Sequence, residues 1–155
     1  VQIQVEQGKP APQDVVVEYA SPMILSVPLQ VITVLSQAKR GAPAPTWSTG
    51  ELGKFVCFGV RITRLATTAK RSSGSKIIVD LDFFLATRAG MDKTTRLDYE
   101  ILDGATVLDR GGIRSIDTEE GKEVHRKIMT DLPGRVLDLD KPPMLKLTLT
   151  VIDNP

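Results

Sequence analysis

Histidine and cysteine, the side chains that most often act as catalytic bases, nucleophiles and metal ligands, occur once each in this chain, as His125 and Cys57. A single histidine excludes every site that needs two histidines, including the common catalytic zinc sets. No G-x-S-x-G motif offers a serine nucleophile for His125 to activate. Cys57 lies among apolar residues of a predicted strand, whereas a reactive cysteine needs a partly exposed, electropositive position. We therefore expect a protein that is not an enzyme and uses no cofactor.

Paired aspartates are the second candidate for chemistry. Asp80 and Asp82, like Asp138 and Asp140, stand two residues apart, and this spacing puts both side chains on one face of a strand, about 7 Å apart. Calcium takes oxygen ligands from carboxylates and carbonyls, and a C2-like sandwich gathers aspartates at one end of the fold. Alternation along a solvated strand face explains the same spacing without any ion. Calcium binding is therefore an alternative interpretation, and we assign no metal ligand.

Basic residues are concentrated in the middle of the chain. Between residues 39 and 76 there are eight lysines and arginines against one acid, while residues 97–155 hold twelve acids and eight basic residues. One interpretation is a basic face for an anionic partner. The interpretation we favour is that basic and acidic strands face each other inside one fold. Since aromatic content is only 5% and single-strand binders need stacking aromatics, nucleic acid is not the expected partner. The candidate anion-binding residues are Arg61, Arg64, Lys70, Arg71 and Lys76.

The only tryptophan, Trp47, lies within residues 36–53, a stretch rich in proline, glycine and small polar residues that predicts no regular structure. Pro43 and Pro45 stiffen this segment toward an extended conformation. A stiffened loop that presents a tryptophan suits recognition of a partner, because the indole offers a large contact area with few rotatable bonds. The alternative is that Trp47 folds back and covers the open end of the core.

Alternation of apolar and polar residues with a period of two dominates the rest of the chain. Residues 145–151, 56–62 and 79–85 are the clearest cases, and Asp103-Gly104 is typical of a tight hairpin turn. The pattern predicts a single all-β domain over residues 1–155, an antiparallel β-sandwich of seven to nine strands with an immunoglobulin-like or fibronectin-like arrangement. A strand over residues 23–35 is expected to break or bend at Pro28. A short helix is predicted near residues 118–131, although Val124, Arg126 and Ile128 could equally alternate on a strand.

In an antiparallel meander, alternate connections share an end, which places residues 36–53 beside residues 88–94. The candidate partner-binding site there consists of Trp47, Lys39, Arg40, Met91 and Lys93. We therefore expect a binding or scaffolding module that recognises a protein partner or a neighbouring domain through its end loops. The alternative is a calcium- or polyanion-binding sandwich.

Compartment and assembly are less constrained by the sequence. No apolar run reaches the roughly 20 residues that span a bilayer, so no transmembrane segment is expected. A chain that starts at Val1 fits both an exported bacterial protein, periplasmic or secreted, and a cytoplasmic fragment. We favour export, and the sequence does not indicate an oligomeric state.

Overall fold

The structure, a computed structural model, describes residues 4–5, 17–88, 92–119 and 121–152. These residues form two sheets that pack face to face, a β-sandwich as predicted. Eleven strands lie within these described residues, more than the seven to nine expected, because four of them have only two to four residues. The strands are β1 (Gln4–Val5), β2 (Val17–Tyr19), β3 (Met23–Pro28), β4 (Thr46–Thr49), β5 (Phe55–Cys57), β6 (Val60–Arg71), β7 (Lys76–Thr87), β8 (Lys93–Asp103), β9 (Thr106–Thr118), β10 (Glu123–Pro133) and β11 (Met144–Ile152).

One sheet has the strand order β1-β3-β11-β8-β9 and the other has β10-β7-β6-β5-β2. Strand β4 lies off this order and pairs with the part of β6 that does not pair with β5. All pairs are antiparallel except β2 with β5. An α-helix, α1 (Gln30–Gln37), and two short 3-10 helices (Glu51–Lys54 and Gly134–Asp138) complete the described elements. Among the described residues, no helix has the length and apolar character that a membrane crossing requires.

The core follows from the period of two that the sequence shows. On β7, Val79, Leu81, Phe83 and Leu85 are buried, while the residues between them are only partly buried and face outward. The long strands β8 and β11 alternate in the same way, and their inward residues join one hydrophobic cluster with those of β7. The apolar face of each sheet therefore covers the other.

The helix predicted near residues 118–131 is wrong. Strand β10 occupies most of this range and pairs with β7 along its whole length. Its Thr130 and Leu132 are buried in alternation with exposed residues, so cross-strand pairing and burial outweigh the local helical signals. Gly121, with a φ of +74°, lies in the turn just before β10, where a continuous helix would have run.

Two further expectations about the first third of the chain need correction. Strand β3 does end at Pro28, but the chain then forms α1 rather than more strand, because Val31, Ile32 and Leu35 share one buried helical face. Residues 36–53 were expected to lack regular structure, yet they contain β4 and most of a 3-10 helix. Proline, glycine and small residues predominate in this segment, so its sequence shows neither a helical period nor a strand period.

The two ends of the sandwich are far apart. The turn that joins β6 to β7, residues 72–75, marks one end, which we call the hairpin end. Strand β7 runs 12 residues away from it, a distance of about 35–40 Å at roughly 3.3 Å per residue. The Phe58-Gly59 turn and Arg88 lie at the far end, where the Arg88 N–H donates to the Gly59 carbonyl at 2.9 Å. We call this the opposite end.

Candidate functional site

A groove of about 610 Å³ opens at the hairpin end. One wall is the segment that follows α1, residues 38–45, and the other is the β6–β7 hairpin, residues 70–73 and 75–77. Leu35, Gly134 and Leu137 complete the lining. We call this feature the basic groove.

Five exposed cationic side chains surround the basic groove, and the described lining contains no aspartate or glutamate. Two of them come from the wall after α1 and three from the hairpin. Among the residues that the structure describes, none of the five takes part in an ion pair. They are Lys39, Arg40, Lys70, Arg71 and Lys76.

Hydrogen bonds hold the two walls together. The Arg71 guanidinium donates from Nη2 to the Leu35 carbonyl at 3.2 Å, and this carbonyl, in the last turn of α1, also accepts from the Ala38 N–H at 3.1 Å. The Ala69 N–H donates to the Pro45 carbonyl at 3.2 Å, which ties the segment after α1 to β6. The groove is therefore built from anchored parts of the fold.

Close packing fixes the base of the hairpin as well. A Cβ atom placed on Gly134 would lie 2.5 Å from the Ser75 carbonyl oxygen. Only a residue without a side chain lets the 3-10 helix Gly134–Asp138 approach the hairpin turn so closely. Within the turn, the Ser72 N–H donates to the Lys76 carbonyl at 2.8 Å.

The other two predicted anion-binding residues, Arg61 and Arg64, are not in the groove. They lie on the outer face of the same sheet, farther along β6 toward the opposite end. The Arg64 guanidinium lies 4.1 Å above the centre of the Phe84 ring, so its charge already faces an aromatic partner. Arg61 is exposed and takes part in no ion pair among the described residues.

Other charged or polar side chains near Arg64 also have partners within the fold. His125 stacks on Phe84 with ring centres 4.6 Å apart, and its Nε2 lies 2.7 Å from Oδ1 of Asp82. The Lys127 ammonium lies 3.4 Å from Oδ2 of Asp80. We call this surface the paired face; its members are Arg64, Asp80, Asp82, Phe84, His125 and Lys127. The aspartates considered for calcium at residues 80 and 82 thus contact cationic side chains or histidine.

The structure does not bring the predicted partner-binding residues together. Lys39 and Arg40 lie at the hairpin end, whereas Lys93 begins β8 at the opposite end. Met91 lies outside the described residues. The prediction that residues 36–53 and 88–94 share an end is wrong, because α1, β4 and β5 between β3 and β6 change the direction in which the chain returns.

Trp47 lies between the two ends, on β4, opposite Thr67 of β6. Its indole is partly buried and packs against the core, so the tryptophan folds back as in the alternative, but it does so between the two ends rather than over an open end. The sequence named each cation of the basic groove but divided these cations between two candidate sites. The sequence signal that joins them is the charge imbalance over residues 39–76, which spans both walls.

At the opposite end the polar groups bind each other. The Glu18 carboxylate accepts from the Gly59 N–H at 3.1 Å and forms an ion pair with Arg88. Phe58 is displayed on this turn with 43% of its surface exposed. This end therefore offers one exposed aromatic side chain beside a charge that is already paired.

Histidine, cysteine and acidic side chains are the candidate metal ligands within the described ranges. No three histidine, cysteine, aspartate or glutamate side chains there gather as a metal site would require. Cys57 is buried, and this burial raises the pKa of its thiol, which keeps it protonated and unreactive. Burial, and then the hydrogen bond to Asp109 at 2.9 Å, raise the pKa of Tyr99 well above its usual range.

No protein-family model and no curated protein matches this chain. Among solved structures, it is similar to part of the enzymatically active domain of tailspike protein 4 from bacteriophage CBA120, with a TM-score of 0.27 and 10% sequence identity. The similarity covers 70% of this chain and 15% of the tailspike chain. At this TM-score the likeness supports no inference about function.

Proposed function

We propose that this protein is a non-enzymatic binding module that recognises an acidic segment of a partner protein or neighbouring domain through the basic groove. The observation that carries the proposal is the set of five exposed cations around one groove whose described lining holds no carboxylate. The proposal keeps the expected role of the end loops, with Lys39 and Arg40 as part of the site. It replaces Trp47 as the anchor with the cations of the β6–β7 hairpin.

Unmatched like charges repel each other, and this repulsion is relieved when an anionic partner binds between them. Charges at the rim of an interface also steer association and orient the partner. Each exposed ion pair contributes only about 0.2–1 kcal/mol, so several must act together to give a measurable affinity. Five cations on two facing walls meet that requirement.

A protein ligand fits the groove better than a nucleic acid does. Proteins that bind single strands combine a basic groove with aromatic side chains on which bases stack. The described lining of the basic groove contains no Phe, Tyr, Trp or His side chain. Calcium is the weaker alternative, because the cationic lining would repel it and because Asp80 and Asp82 contact Lys127 and His125. The immunoglobulin-like arrangement and export from a bacterial cell stay predictions.

The proposal is tested by calorimetric titration with poly-L-glutamate at low ionic strength. The groove variant is Lys39→Gln/Arg40→Gln/Lys76→Gln, and the control is Arg61→Gln/Arg114→Gln/Arg126→Gln, which removes the same charge from exposed positions outside the groove. We expect the wild type and the control to bind with a steep dependence on salt, and the groove variant to lose at least tenfold in affinity. Equal losses in both variants would show that net charge, not the groove, attracts the ligand.

A further inference from the structure

The basic groove has an apolar floor beneath its charged rim. Leu35 and Ile77 line it with only 3% and 2% of their surfaces exposed, and Leu137 is partly buried beside them. The wall after α1 adds alanine and proline side chains, with Pro43 and Pro45 among them. The lining therefore combines apolar groups with exposed cations.

Four lining residues of the wall after α1, Ala38, Ala42, Pro43 and Pro45, offer no free backbone N–H to a compact anion. Pro43 and Pro45 have no N–H group. The Ala38 N–H donates to the Leu35 carbonyl at 3.1 Å, and the Ala42 N–H donates to the Lys39 carbonyl at 3.0 Å. Phosphate sites are built from converging backbone N–H groups, often at a helix N-terminus, whereas the helix that borders this groove presents its C-terminus. Anion contacts therefore rely mainly on the lysine, arginine and serine side chains of the lining.

Building on the proposed function, we propose that the ligand is an extended acidic peptide segment that also carries apolar side chains. Its carboxylates contact the rim cations, and its apolar side chains cover Leu137 and the alanine and proline side chains. A polyphosphate or a sulfated sugar would satisfy the rim and leave the floor in water. Since burying one large apolar side chain contributes more than an exposed ion pair, the floor supplies affinity and the rim supplies orientation.

The size of the groove agrees with a short segment. At about 610 Å³ it falls within the range of roughly 300–1,000 Å³ that ligand pockets occupy. Lys39 and Arg40 lie on one wall and Lys76 lies on the other. An extended peptide between the walls can therefore meet cations on both sides.

The test compares three probes on the full chain. The first is a peptide in which Glu and Leu alternate, the second is the same peptide with Ser in place of each Leu, and the third is sodium tripolyphosphate. We expect the Leu peptide to bind at least tenfold more tightly than the other two, and the groove variant Lys39→Gln/Arg40→Gln/Lys76→Gln to weaken its binding.

A matched pair of variants tests the floor. Leu137 and Leu139 are both partly buried and pack against the core, but only Leu137 lines the basic groove. We expect Leu137→Ala to abolish the preference for the Leu peptide and Leu139→Ala to preserve it, with melting curves as a check that both variants fold.

The outcomes separate this inference from the proposed function. If the Ser peptide or tripolyphosphate binds as tightly as the Leu peptide, and the groove variant weakens that binding, the apolar part of the ligand is refuted while the binding module stands. If the groove variant binds all three probes as the wild type does, both proposals fail. A preference for the Leu peptide that Leu137→Ala and Leu139→Ala alter equally would also refute the role of the floor.

Discussion

Strand β6 contributes cations to both the basic groove and the paired face, but the two regions differ in whether these cations contact a side chain of the fold. Arg64 in the middle of β6 lies over Phe84, whereas Lys70 at the end of β6 points into a groove without carboxylates. The cross-strand neighbours explain the difference. Strand β7 presents Asp80 and Asp82 on the paired face, while the groove faces the carbonyl end of α1. A cation that the fold itself pairs is structural, and a cation that the fold leaves unpaired is available to a partner.

The C-terminus of α1 helps the fold to tolerate the cation cluster. Helix carbonyls at this end carry partial negative charge and favour nearby cations. Arg71 uses that charge directly through its bond to the Leu35 carbonyl, so it both shapes the groove and has a hydrogen-bond partner within the fold. The remaining four groove cations have no such bond among the described residues.

The largest expected effect tests whether the groove depends on close packing at its base. Gly134→Ala would place a methyl group 2.5 Å from the Ser75 carbonyl oxygen, and overpacking of this kind costs about 1–3 kcal/mol. We expect a lower free energy of unfolding in urea and weaker binding of poly-L-glutamate. Gly74→Ala, in the same turn, meets nothing within 4 Å and is the control. If both variants unfold alike, the hairpin is not held by this contact.

The second prediction breaks the paired face. Phe84→Ala removes a partly buried ring together with its contacts to Arg64 and His125. Full burial of such a ring is worth about 3–5 kcal/mol, so a partly exposed one should cost roughly 1–2 kcal/mol in unfolding free energy. Affinity for poly-L-glutamate should stay within about twofold of the wild type. A large loss of affinity with the fold intact would place the anion site on this face instead.

The third prediction concerns the residue shared by structure and site. Arg71→Leu removes the bond to the Leu35 carbonyl, and we expect a loss of about 1 kcal/mol in unfolding free energy, the usual net value of one hydrogen bond. Lys70→Leu changes the neighbouring cation without removing any such bond and should leave stability nearly unchanged. Chemical denaturation of the two variants side by side decides the point, and equal stability would mean that Arg71 does not anchor α1.

The smallest expected effect is a change of stability that differs in sign between a paired lysine and an unpaired lysine. Lys127→Gln removes an exposed ion pair with Asp80 and should lower stability by about 0.2–1 kcal/mol. Lys39→Gln relieves repulsion in the groove and should leave stability unchanged or raise it by a few tenths of a kcal/mol. Thermal melts at low salt measure the difference, which should shrink in about 1 M salt as the charges are screened. A destabilising Lys39→Gln would show that this cation has an intramolecular partner after all.

The fold was predictable where the strands are long, because a period of two over β7 or β11 also specifies which residues are buried. It was not predictable where elements are short. Helix α1 consists largely of β-branched and small polar residues, and its identity follows from the burial of Val31, Ile32 and Leu35. Strand β10 carries helical signals that its pairing with β7 overrides.

For the candidate site, too, the sequence predicts some features and not others. Sequence identified each cation of the groove, since charge type needs no structure. It could not join Lys39 and Arg40 to Lys76, because that juxtaposition depends on α1, which carries the chain from the end of β3 to the β6–β7 hairpin. It also could not separate Arg64 from Lys70, because the contact with Phe84 depends on the register of β6 against β7.

A backbone amide NMR titration of the protein with poly-L-glutamate would locate the anion site. We expect shift changes to cluster in residues 38–45 and 70–76 and to leave the paired face and the opposite end unchanged. Changes centred on His125 and Lys127, or on Arg88 and Lys93, would contradict this expectation. So would small changes spread evenly over all exposed cations, since they would mean that the unpaired groove attracts an anion no better than the rest of the surface.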